Sequence, residues 1–224
     1  MKSTIHIRCD ILQDFFFILE LIGTIAFAVS GAVVGIKKNM DIFGVCVLSL
    51  TAACGGGLIR DVFIGKLPPA MFCEKTYAVT AIITAVTVFC AARFKMDIIK
   101  NRFWDTVLLI ADSLGLGIFT SVGVAAVYDN GFKGMFFAVF LGTITGVGGG
   151  LIRDMMAGNP PYIFVKHIYA CASIAGAVLC CFLWNVTGRN VAMVLGCVAI
   201  VLIRLLSAHF RLSLPKVSKG EDNE

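Results

Sequence analysis

Residues Gly55-Gly56-Gly57-Leu58-Ile59-Arg60-Asp61 recur as Gly148-Gly149-Gly150-Leu151-Ile152-Arg153-Asp154, seven consecutive identities 93 positions apart. The match runs on through Gly65 and Gly158, then Pro68 and Pro161. Upstream, at a spacing of 92, Gly23, Phe27 and Gly31 match Gly115, Phe119 and Gly123, which sets Glu20 opposite Asp112. Any fold for this chain must therefore contain two like halves.

The halves are apolar. Of the 224 residues 58% are hydrophobic and 15% charged, where soluble domains carry about 25% charged residues. This excludes a disordered chain, a nucleic-acid module and an ordinary soluble enzyme. The apolar runs do not alternate with polar residues, so an outer-membrane barrel is excluded too. A bilayer crossing needs about 20 mostly apolar residues. Runs of that kind cover 15–36 (broken only by Glu20), 42–59 up to Arg60, 76–92, 106–128 (with Asp112), 134–152 up to Arg153, 168–188, and 190–210 (with Arg204 and His209). The reading is an all-α polytopic membrane protein with seven transmembrane helices in one membrane domain, 1–224. Residues 15–92 form a first three-helix repeat, 106–188 a second, 190–210 a seventh helix and 211–224 a polar tail. Ala26-Phe27-Ala28 resembles a signal cleavage site. Asp10, Asp14 and Glu20 do not suit a signal peptide, and the repeat requires this segment as a helix.

Seven crossings put the termini on opposite faces. Seven Lys and Arg fall on the N-terminal side and twelve on the other, with Arg93, Lys95, Lys100 and Arg102 in one loop. Cytoplasmic loops carry that excess, so the sequence places the tail in the cytoplasm and the N-terminus outside. Three spans per repeat also mean that the second copy starts on the opposite face. The copies are inverted about a pseudo-two-fold axis in the membrane plane, a pattern of transporters and pores whose site lies near the repeat interface. A duplicated structural bundle is the plainer alternative.

Three consecutive glycines weaken a helix by roughly 1 kcal/mol each relative to Ala. Gly55, Gly56, Gly57, Gly148, Gly149 and Gly150 are therefore expected to kink or open their spans, lining a passage with freed carbonyls. The other reading is close helix packing. Arg60 and Arg153 read either as functional charges at membrane depth or as side chains snorkelling from a helix end. Asp61 and Asp154, as immediate neighbours, do not face these arginines along a helix and are expected to bond nearby backbone or an arginine from elsewhere. Glu20 and Asp112 read either as carboxylates at opposite mouths that concentrate cations or as arginine-paired groups that lock the bundle, the structural reading being preferred.

The nine cysteines lie mostly in apolar spans without a Cys-x-x-Cys pair, and buried Cys behaves as a small hydrophobe. His6, His167 and His209 are scattered, so no metal cluster is read, and there is no nucleotide-binding loop. No cofactor, no catalytic constellation and no nucleic-acid partner is expected. Membrane lipid is the expected surrounding.

The doubled Gly-Gly-Gly-Leu-Ile-Arg-Asp motif, in three-plus-three inverted spans with a seventh helix, resembles the TRIC family, the trimeric intracellular cation channels, in its bacterial and archaeal branch. The resemblance covers roughly 15–210. It implies a homotrimer with one pore per protomer, permeation by monovalent cations (chiefly potassium, with sodium), and second and fifth helices that bend at the glycine motif. It implies a place near the pore for Arg60 and Arg153. Animal members carry a Lys-Glu pair near this position and bind phosphoinositides. This chain has glycines there and no long basic tail, so that regulation and the organelle location are not implied, and a bacterial inner membrane is expected. The rival reading is a secondary transporter of a small neutral amino acid such as glycine.

Overall fold

The computed structural model describes residues 2–94, 102–165 and 168–210, with side chains from residue 15 onward except at 102 and 165. The tail 211–224, His167 and most of the basic loop 93–102 lie outside the described residues, as does the side chain of His6.

Nine helices form the described chain: α1 (Lys2–Lys37), α2 (Ile42–Ile64), α3 (Ala70–Cys73), α4 (Lys75–Phe94), α5 (Arg102–Asp129), α6 (Met135–Met156), α7 (Tyr162–Val165), α8 (Tyr169–Thr187) and α9 (Arg189–His209). Seven contain spans long and apolar enough to cross a bilayer. The first half is α1, α2 and α4 with the short α3. The second is α5, α6 and α8 with the short α7. Local chemistry repeats at the ends of α2 and α6 but not at their starts. Asp41 caps α2 by accepting from the Gly44 amide at 2.7 Å. Beyond α2 and α6 the chain turns at Gly65 (φ 80°) and Gly158 (φ 65°), left-handed positions that favour glycine.

The second and fifth spans do not stop at the arginines. They continue to Ile64 and Met156, because the guanidinium groups are paired inside the protein (below) and need not reach for an interface. Nor do the glycines open the helices, as the weak propensity of three glycines had suggested. α2 and α6 are helical straight through both motifs, so no carbonyls are released there. The reason is packing. The two helices cross at the motifs, where a Cβ on Gly56 would collide with the Thr145 carbonyl oxygen and one on Gly149 with that of Ala52. Ala52 and Thr145 are themselves 93 apart, so the crossing has the repeat's own symmetry. Close small-residue packing of this kind stabilises helix pairs in lipid and outweighs the propensity cost.

The halves meet through α1 against α5 and α2 against α6, and α9 packs on α5 and α8 of the second half. At the α1–α5 contact Phe27 and Phe119 stack with ring centroids 5.5 Å apart and planes 13° from parallel. Each sits in a glycine socket: a Cβ on Gly115 would be 2.8 Å from the Phe27 ring, and one on Gly23 2.9 Å from that of Phe119. Large apolar side chains such as Phe43, Ile83, Phe136 and Phe182 are exposed on the outer faces, where lipid covers them in a membrane protein.

Candidate functional site

Each half folds its arginine, its neighbouring aspartate and its equivalent carboxylate into one buried cluster. In the first half the Arg60 Nη1 donates to Glu20 Oε1 at 2.6 Å and Nε to Asp61 Oδ1 at 2.9 Å. The Tyr77 hydroxyl donates to Glu20 Oε2 at 2.6 Å. Asp61 Oδ2 accepts from the Ala70 amide at 2.8 Å, which fixes the start of α3. In the second half the Arg153 Nη1 donates to Asp112 Oδ1 at 2.6 Å and Nε to Asp154 Oδ1 at 2.8 Å. The Tyr169 hydroxyl lies 3.4 Å from Asp112 Oδ1, and Asp154 Oδ2 accepts from the Tyr162 amide at 3.0 Å. All six charged groups are buried, and a buried charge persists when it is paired and hydrogen-bonded.

Asp61 and Asp154 thus do pair with the adjacent arginine, contrary to the sequence expectation. The long guanidinium stem folds back so that Nε meets the next residue's carboxylate while Nη1 reaches across to α1 or α5. Their second oxygens bond backbone, as expected. Glu20 and Asp112 are the arginine-paired groups of the structural reading.

The two clusters are unequal. In the second half Arg153 also donates to Ser30 of α1. Arg204 of α9 places Nη2 3.7 Å from Asp112 Oδ2 and stacks over Tyr169 at 4.7 Å. That cluster holds two guanidinium groups against two carboxylates, whereas the first holds one against two. Tyr162 covers Arg153 at 5.2 Å, and burial pushes its phenol up to about 12, keeping it neutral.

The space beside them differs too. A small cavity of about 30 Å³ adjoins the first cluster, bordered by Thr24, Cys54, Gly57, Ala70, Met71 and Phe119. A second one at the same end is bordered by Phe16, Arg60, Asp61, Lys66, Asp129 and Asn130. In the second half the corresponding volume is filled: Leu116 stands where the first half has Thr24, Val147 for Cys54 and Tyr162 for Ala70, all packed around Tyr169. The third glycines report the same contrast. A Cβ on Gly57 would meet only Arg60 Nη2, at 3.9 Å, whereas one on Gly150 would meet the Tyr169 hydroxyl at 2.7 Å. Gly55 faces Ile152, and Gly148 faces Gly56. Among the described residues no group of three His, Cys, Asp or Glu side chains has metal-holding geometry.

Sequence reasoning missed Tyr77, Tyr169 and the part Arg204 plays. The tyrosines carried a signal, since they too are 92 apart. Arg204 had no repeat partner to point to it.

The comparisons agree with this architecture. A family model described as "Glycine transporter" matches residues 17–93 and again 109–185, one match per half. The chain is 35% identical to the UPF0126 inner membrane protein YadS of Escherichia coli, over 91% of its own length and 97% of that protein's. It is 31% identical to the UPF0126 membrane protein YvgT of Bacillus subtilis, over 92% and 98%. Among solved structures it is similar to a TRIC cation channel described for its conductance, with 33% identity, TM-score 0.79 and coverage of 91% of this chain and 98% of that one. It is also similar to the TRIC orthologue from Rhodobacter sphaeroides, with 30% identity, TM-score 0.80 and coverage of 88% and 98%. With its doubled motif, inverted halves and paired charge clusters, the chain belongs to the bacterial UPF0126 branch of the TRIC channel family, a multi-pass membrane protein whose family model carries the glycine-transporter description.

Proposed function

We propose that the chain is a passive channel for monovalent cations, chiefly potassium and sodium, with one pore in each protomer of a homotrimer. The observation that carries this reading is the pair of buried arginine–carboxylate clusters, one toward each face, joined by the glycine crossing of α2 and α6. Charges at membrane depth mark ion pathways. The likeness to TRIC cation channels supports the same direction. In this reading Gly55, Gly56, Gly57, Gly148, Gly149 and Gly150 let α2 and α6 slide against each other, and the buried ion pairs of Arg60 with Glu20 and Asp61 and of Arg153 with Asp112 and Asp154 lock the helices on either side of the pathway. The protein sits in a bacterial inner membrane with its N-terminus outside and its tail in the cytoplasm, as the Lys and Arg bias requires. We assign it no catalytic role and no cofactor.

A second reading is alternating-access transport of a small neutral amino acid. It is favoured by the glycine-transporter description of the family model and by a cavity that adjoins the cluster at one end while the other end is filled. Purified protein in a planar bilayer under a potassium chloride gradient separates the two. Unitary currents reversing near the potassium equilibrium potential support the channel. Silence from folded protein, with saturable uptake of labelled glycine into proteoliposomes, overturns it in favour of the carrier.

A further inference from the structure

We propose that the stacked rings of Phe27 and Phe119 are the closed barrier of the pathway; this rests on the cation-channel reading above. The two residues are repeat equivalents, and they touch each other. A contact between equivalents of a two-fold pair straddles the axis. Since that axis lies in the membrane plane, the ring pair sits at mid-depth, between the two charge clusters. Its ends point toward both. Phe119 borders the cavity of the Arg60 cluster. Phe27 lies beside Gly149, where an added Cβ would be 3.5 Å from its ring, and Gly149 stands one helical turn before Arg153.

The neighbours make the rings decisive. Gly23, Gly115, Gly149, Ala28 and Ala53 lie directly against them, with the larger Tyr77, Leu50 and Met71 in the same cluster, and both rings are almost wholly buried. An apolar constriction bars a hydrated cation because it cannot replace the hydration shell. With the rings gone, the first cavity would extend toward the α6 glycines and the Arg153 cluster. Open space already reaches Phe119 from the first half, so swinging this ring is the smallest movement that lengthens the path.

The test is single-channel recording of Phe119→Ala and Phe27→Ala beside the wild type, with thermal unfolding of each in detergent. Open probability or leak conductance is expected to rise by roughly tenfold, equivalent to about 1.4 kcal/mol in the closed–open balance. Phe119→Leu, which keeps an apolar side chain of smaller girth, is expected to rise by less and serves if the alanine variants do not fold. A packing role alone would lower the unfolding temperature without raising current. Wild-type currents with unchanged or reduced currents in the folded variants overturn the barrier while leaving the channel. Silence from every folded protein overturns the channel reading and the barrier with it. A silent wild type beside a conducting variant supports the barrier.

Discussion

Gly56 and Gly57 are neighbours in one helix, and alanine should affect them in opposite directions. In a helix interior Ala is favoured over Gly by about 1 kcal/mol, and this gain is common to both. At Gly57 nothing opposes it, since the nearest atom to an added Cβ is Arg60 Nη2 at 3.9 Å. At Gly56 the Cβ collides with the Thr145 carbonyl oxygen, a backbone atom that cannot rotate aside. Overpacking of this kind costs about 1–3 kcal/mol. The two variants should therefore differ by about 1–3 kcal/mol, Gly57→Ala being the more stable. For a chain of this size that is about 2–12 °C in unfolding temperature, taking about 2–4 °C per kcal/mol. Thermal unfolding in detergent, followed by Trp fluorescence, measures it. Gly149→Ala should behave like Gly56→Ala, because its Cβ meets the Ala52 carbonyl. Gly150→Ala should lack the gain of Gly57→Ala, its Cβ falling 2.7 Å from the Tyr169 hydroxyl. If Gly56→Ala proves as stable as Gly57→Ala, the crossing is not the close contact described, and the account of why the helices stay unbroken fails.

Other outcomes follow from the clusters. Arg153→Met leaves Asp112 and Asp154 in a sealed site with Arg204 as the remaining cation; a loss of about 3–5 kcal/mol is expected, larger than for Arg60→Met beside its cavities, by the same unfolding assay. Tyr77→Phe removes the 2.6 Å donor to Glu20 and should cost about 1–3 kcal/mol, read as a lower unfolding temperature. Thr24→Leu, which copies Leu116 of the other half, should occupy the first cavity and cut current in the planar bilayer while keeping the unfolding temperature. Its only described hydrogen bond, to the Glu20 carbonyl within α1, is readily forgone. Asp105→Asn breaks the surface pair with Lys37, where the carboxylate is 75% exposed, and should change stability by no more than about 0.5 kcal/mol.

Much of this architecture was legible because the chain states it twice. Spans of about 20 apolar residues and an identity of seven residues leave few alternatives, and the pairing of Glu20 with Asp112 followed from position alone. The limits of that reading are equally specific. Arg60 and Arg153 looked like the ends of spans, since hydropathy counts a charge as a stop and has no term for a partner arriving from another helix. The glycines looked like breaks, since propensity describes an isolated helix, whereas at Gly56 and Gly149 the neighbouring backbone decides. Arg204 went unassigned because duplication points only to residues present in both halves, and α9 has no copy. The unequal filling of the halves was hidden in ordinary substitutions such as Thr24 against Leu116, whose meaning appears only when their positions are superposed.

The dependence of the second cluster on α9 bears on the order in which the protein can be made. Glu20, Arg60, Asp61, Ala70 and Tyr77 all belong to the first half, so its polar groups find one another as soon as α4 has left the ribosome. The second arginine is answered from three places: its own half, Ser30 already in the membrane, and Arg204, which emerges 51 residues after it. Until then Asp112 lacks its second cation in a low-dielectric setting where an incompletely answered charge is costly. A chain truncated before α9 would therefore hold a finished first half and an unfinished second. Quality control in the membrane would meet the defect at Asp112, while the first half would pass as complete.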